Sequence, residues 1–215
     1  MPRGDSCMEY HELDAIVGDG FAIVAMKCCG DEFVADSLTA AKVNWKAAQL
    51  DTEQWGRDGL EIMVVLREPV EWYREYILAA SSGMGEFREI DEEIAPVFAH
   101  LGKEPEVALN VAVVNLMTLH PGWLGVQYKT CELLLLPSKS SVSWVDHDWL
   151  PDHLPLFVER ANGQKYDWNA MPGLEQYVAG DGMPHMFEQA KLDVMREEQA
   201  CYPSFGKLMK CRGGQ

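Results

Sequence analysis

The chain has 215 residues, 47% of them hydrophobic and 24% charged. That suits one α/β domain with a real core and excludes a disordered class. The formal net charge of −16 argues against a nucleic-acid surface, where affinity comes from Lys and Arg displacing counterions.

No run of about 18 apolar residues occurs, so no membrane span is expected. The opening "MPRGDSCMEYHELDAIVGDG" is polar and acidic. It lacks the apolar core of a secretion signal and is assigned to an N-terminal arm, residues 1–20. The six cysteines, Cys7, Cys28, Cys29, Cys131, Cys201 and Cys211, show no CxxC spacing and are expected as reduced, mostly buried thiols.

Phe21–Met26 is a fully apolar run suited to a strand buried on both faces. Glu32–Leu50 reads as a helix, because Val34, Leu38, Ala41, Trp45 and Ala48 recur at steps of three and four. After a turn at "RDG", "LEIMVVLRE" from Leu60 is a second buried strand. Pro69 opens a helix with Val70, Tyr73, Ile77 and Ala80 on its buried face, and "SSGMG" breaks it. Further helices are predicted over about Asp91–Leu101 and Glu104–Leu119. "LLLLP" at 133–137 and "VSWVDH" at 142–147 read as strands. Pro151–Asn162 is a helix closed by Gly163, and the last helix covers about Met183–Glu198. The tail "GKLMKCRGGQ" is basic and reads as a frayed terminus. Strands alternating with helices predict an α/β domain over 21–200, with a central, mostly parallel sheet covered on both faces, and a tail over 201–215.

In such a sheet ligands bind at the carboxyl ends of the strands. One exit is "MKCCGDEF", where Lys27, Cys28, Cys29 and Gly30 lead into a helix. Another is "LREPVEWYREY", where Arg67 leaves a strand and Pro69 starts a helix. A Lys and an Arg so placed could hold two phosphates beside helix N-termini.

The pairing resembles the sulfotransferase family, which uses the nucleotide donor PAPS. Its first motif, similar to "PKxGS/TT", wraps the 5′-phosphosulfate. Its second, "RDPVERxxSxY", holds the 3′-phosphate through Arg and Ser. Arg67, Pro69, Val70 and Glu71 fall in register with the second motif. "TLHPGWLGVQY", "SVSWVDHDWLPDHLPLFVERANG", "YDWNAM" and "ACYPSFGKL" follow in the family's order, so the likeness covers roughly residues 20–210. It implies a PAPS site built from Lys27, Cys28, Cys29, Gly30, Arg67 and Glu75, with Lys27 and His120 as catalytic candidates if the protein is active.

The departures are acidic. Asp31 and Glu32 stand where the family has hydroxyls, and Glu75 stands where it has the serine. A carboxylate cannot donate to a phosphate, and two like charges about 4 Å apart cost on the order of 4 kcal/mol at an effective dielectric near 20. Asp31 suits an N-cap and Glu32 a first turn, so the helix is expected to cap itself where the donor would bind.

Each candidate also has a structural role. Lys27 can pair with Asp31 or Glu32, and Arg67 with Glu71 or Glu75. Glu75 can be an exposed or Arg-paired helix residue, and His120 a helix C-terminal residue ahead of Pro121. His147, Asp148, Asp152 and His153 match no zinc spacing, so no metal is expected. Of the seven tryptophans, Trp144 is expected in the core, and some of Trp72, Trp123, Trp149 and Trp168 at a surface.

The expectation is a sulfotransferase-fold protein that has lost donor binding and needs no cofactor. It would act through protein partners or self-association, as a structural component in the cytoplasm or within a virion. The alternative is an active sulfotransferase that binds PAPS or PAP and transfers sulfate to a hydroxyl or amine.

Overall fold

The computed structural model describes residues 13–50, 60–81, 104–135, 141–178 and 183–202. They fall into two compact units. The sheet unit holds residues 13–67 and 130–178, and the helical unit residues 68–129 and 183–202.

The sheet unit carries five strands: β1 (Leu13–Gly18), β2 (Phe21–Val24), β3 (Trp45–Leu50), β4 (Glu61–Leu66) and β5 (Ser141–Asp146). Their order is β3-β1-β2-β4-β5. β2, β4 and β5 run parallel, whereas β1 is antiparallel to both β2 and β3. The α/β class holds, and the three segments predicted to share a parallel sheet do so. The sheet as a whole is mixed rather than mostly parallel.

β1 lies in the stretch assigned to an N-terminal arm. It joins β2 through Asp19–Gly20, with Gly20 at φ 72°, and Asp-Gly is a favoured two-residue hairpin turn.

α1 (Asp31–Ala40) and α5 (Leu150–Asn162) belong to this unit. α5 packs on the parallel strands, burying Leu154, Phe157 and Val158. Phe157 meets the ring of Phe21 edge-on at 6.2 Å. β2 is buried throughout and β4 from Ile62 onward, as strands in the middle of a covered sheet should be.

The helix predicted over Glu32–Leu50 stops at Ala40. Lys42 takes a left-handed conformation, φ 57°, and the Val43 amide returns to the Leu38 carbonyl at 2.9 Å. Trp45 and Ala48 therefore lie on a strand. β3 pairs with β1 from Gly18–Trp45 to Leu13–Leu50, and that pairing overrides the helical preference of "WKAAQL".

The helical unit contains α2 (Pro69–Ser81), α3 (Pro105–Leu119), α6 (Glu188–Cys201) and the first part of α4 (Trp123–Leu135), which enters the sheet unit after Lys129. α2, α3 and α6 pack against one another. Leu133–Leu135, predicted as a strand, is the last turn of α4, since a short apolar run does not distinguish a helix from a strand. The helix predicted near Asp91–Leu101 lies outside the described residues.

Trp72 is buried against Tyr73, Tyr76 and Trp123, at ring distances of 4.9, 5.0 and 5.8 Å. It is core rather than surface, while Trp144 is only half-buried. Buried Asn110 accepts from the Phe187 amide at 2.7 Å and donates to the His185 carbonyl at 3.1 Å. These bonds tie the lead-in of α6 to α3.

Cys28, Cys29 and Cys131 are reduced thiols. Cys201 is disulfide-bonded, so the expectation of reduced cysteines fails there. Among the described residues, no single helix is long and apolar enough to cross a membrane. α3 with the start of α4 passes by length and composition, but the pair is bent by 49°.

Candidate functional site at the parallel strand exits

Pairing places Val24 beside Val64 and Val64 beside Trp144. Lys27, Arg67 and His147 each follow that row by three residues. The three parallel strands thus release a Lys, an Arg and a His at one level of the sheet. This is the edge where α/β proteins bind ligands.

The β2–α1 turn is tight. The Cys29 amide bonds the Met26 carbonyl at 2.7 Å, and Cys28 has φ 61°. A positive φ costs a non-glycine residue strain that its surroundings must hold. Two bonds hold it here. Asp31 Oδ1 accepts from the Cys28 amide at 3.1 Å, and Arg67 donates from Nη1 to the Cys28 carbonyl. Arg67 is 5% exposed, so its guanidinium is built into the turn.

Asp31 was expected as the N-cap. The N-cap is Gly30, φ 93°, with no side chain to offer. Asp31 is the first helical residue and reaches backward, placing its carboxylate on a turn amide. Burial, then repulsion from Glu32, pushes its pKa up to about 6. Glu32 is exposed in the first turn.

His147 starts a short 3-10 turn, His147–Trp149, after β5. Asp146 closes that turn by accepting from the Asp148 amide at 3.1 Å. The His147 ring is 2% exposed, with Nδ1 3.2 Å from Asp148 Oδ1. Burial and then the Arg67 charge hold its pKa below the ordinary 6.5, so the ring is neutral at pH 7. With Nδ1–H turned to Asp148, Nε2 is an acceptor that has no hydrogen-bond partner among the described residues. Gly30 makes room for the ring, since a Cβ there would stand 3.2 Å from His147 Cδ2 and 2.5 Å from Leu150 Cδ1.

The sheet unit therefore brings together Lys27, Cys28, Cys29, Gly30, Arg67 and His147. His147 was visible only as part of an unmatched metal-like stretch. Among the described residues, no group of three or more His, Cys, Asp or Glu could hold a metal ion.

Glu75 and His120 belong to the helical unit. Glu75 is 9% exposed on α2, so it is not the exposed helix residue its acidity suggested. His120 caps α3, its amide bonding the Leu116 carbonyl at 2.8 Å, and its ring lies 4.7 Å from that of Trp123. Glu71 pairs with Arg74 at 3.4 Å.

A second closed helix start was missed. The Gly125 amide, in the first turn of α4, bonds Glu198 of α6, and the Leu124 amide lies close enough to favour its charged form. The Tyr73 hydroxyl donates to Glu198 Oε1 at 2.8 Å. Glu198 is fully buried. Its signal was periodicity: Ala190, Val194, Glu198 and Cys201 share the buried face of α6, a stripe spaced by four and three.

Comparison with protein-family models, curated proteins and solved structures finds no match to this chain.

Proposed function

We propose that the protein is a sulfotransferase-like α/β module that no longer binds a nucleotide donor and acts through contacts with other proteins, as a structural component of an assembly such as a virion. One observation carries the reading: the amide of Cys28, in the turn where the family holds its phosphosulfate, is taken by the carboxylate of Asp31. A phosphate arriving there has to displace a charge of its own sign. Arg67, the counterpart of the 3′-phosphate ligand, supports the same reading because it is buried and bonded to the turn's carbonyl. Protein contacts are supported by large apolar side chains left open on the sheet unit, with Trp149 53% and Leu156 66% exposed.

The alternative is an active PAPS-dependent sulfotransferase. It is favoured by the common level of Lys27, Arg67 and His147 at the parallel strand exits, with His147 Nε2 an acceptor that has no hydrogen-bond partner among the described residues.

Thermal melting with millimolar PAP separates the two. A ligand that binds only the folded state stabilises it by about 2.7 kcal/mol at a hundredfold excess over its dissociation constant. The proposal expects no shift in the wild type. A shift is expected once Asp31→Ser and Glu32→Thr remove two charges beside the turn and return hydroxyl donors. A wild-type shift that disappears in Arg67→Ala establishes the enzyme instead.

A further inference from the structure

The Glu198 site lies outside the donor-site question and rests on different residues. A single carboxyl joins three helices. It sits on α6, meets Tyr73 of α2, and receives the Gly125 amide of α4. Gly125 is shaped for it, since a Cβ there would lie 2.8 Å from both the carbonyl oxygen and Oε2 of Glu198.

We propose that Glu198 is a proton-operated latch between α6 and the first turn of α4. With the proton bound, the neutral carboxyl occupies its dry site without the cost of a buried charge. With the proton lost, that charge weakens the junction and the first turn of α4 opens more often.

The hydrogen bonds accommodate both states. Ionised, Oε1 accepts from the Tyr73 hydroxyl and Oε2 from the Gly125 amide. Protonated on Oε1, the carboxyl keeps the Gly125 amide on Oε2, and the Oε1–Tyr73 contact is held by one of the two hydroxyl hydrogens. The groups acting on it are Tyr73 from α2, the Leu124 and Gly125 amides from α4, and Glu197 beside it on α6. Among the described residues they include no cation. The helix N-terminus and the three donors favour the carboxylate. Burial opposes them and wins, with Glu197 adding to it, and the pKa rises from the ordinary 4.5 to about 7.

The sign follows. A folded-state pKa above the unfolded one means that the group's contribution to stability is complete below the unfolded value. It is lost as pH rises through the folded value. The window therefore runs from about pH 4.5 to about pH 7, ending where cells live.

The test is amide hydrogen exchange of the intact chain, corrected for the intrinsic pH dependence of exchange. Protection of Leu124 and Gly125 is expected to fall on the order of 100-fold between pH 5 and pH 8, and to stay level in Glu198→Gln. An equal fall in Glu198→Gln overturns the latch. A second measurement needs no variant: carbon-13 titration of glutamate carboxyls in the wild type. One carboxyl titrating near 7 is expected, and its absence overturns the proposal.

Discussion

Replacing Asp31 by Asn tests whether the β2–α1 turn is closed by charge or by shape. The side chain keeps its outline, and Oδ1 still accepts from the Cys28 amide, now 3.1 Å away. What disappears is a half-buried charge next to Glu32. Burial first and Glu32 second raise the Asp31 pKa from 3.8 to about 6, a displacement equivalent to about 3 kcal/mol. Partial exposure and the loss of a favourable carboxylate at a helix N-terminus trim this to about 1–2 kcal/mol. Since the folded pKa is the higher one, the aspartate's share of stability is complete below pH 3.8 and lost as pH rises through 6. Asp31→Asn is therefore expected to match the wild type near pH 3 and to exceed it by about 1–2 kcal/mol at pH 7. Asp31→Ala leaves the Cys28 amide without its acceptor and is expected to lie about 1–3 kcal/mol below Asp31→Asn at any pH. Urea denaturation of the three proteins at several pH values reads this out. An Asn variant as unstable at pH 7 as the Ala variant would refute the reasoning, because the turn would then need the charge itself.

Three further outcomes follow from burial and contact. Gly125→Ala forces a methyl against the Glu198 carbonyl and carboxylate, and is expected to cost about 1–3 kcal/mol in urea denaturation. Trp72→Ala removes a 1% exposed ring from its cluster with Tyr73, Tyr76 and Trp123, and is expected to cost about 3–5 kcal/mol by the same measurement. Arg67→Met removes the charged donor to the Cys28 carbonyl while keeping the aliphatic stem, and is expected to cost about 1.5–3 kcal/mol.

The parallel part of the fold was legible in the amino-acid order because its information is local. Phe21–Val24 and residues 62–66 are apolar on both faces and rich in Ile and Val, the pattern of a strand in the middle of a covered sheet. Pro69, Pro151 and Gly163 likewise mark helix ends through their own backbone chemistry. The acidic turn after β2 was legible as a clash between motif and charge.

What tertiary structure alone decided was the partner of each group. "WKAAQL" is a strand because β1 lies beside it, whereas the hairpin of β1 and β2 was signalled locally by Asp19–Gly20 and overlooked. Arg67 looks like a phosphate ligand along the chain, yet in the fold its guanidinium bonds a carbonyl 39 residues away. Glu198 looks like one more acid in "REEQAC", yet it is buried, with the start of α4 for its solvent. A side chain's charge can be read from its letter, but its electrostatic energy depends on what replaces water around it, and that is set by segments distant along the chain.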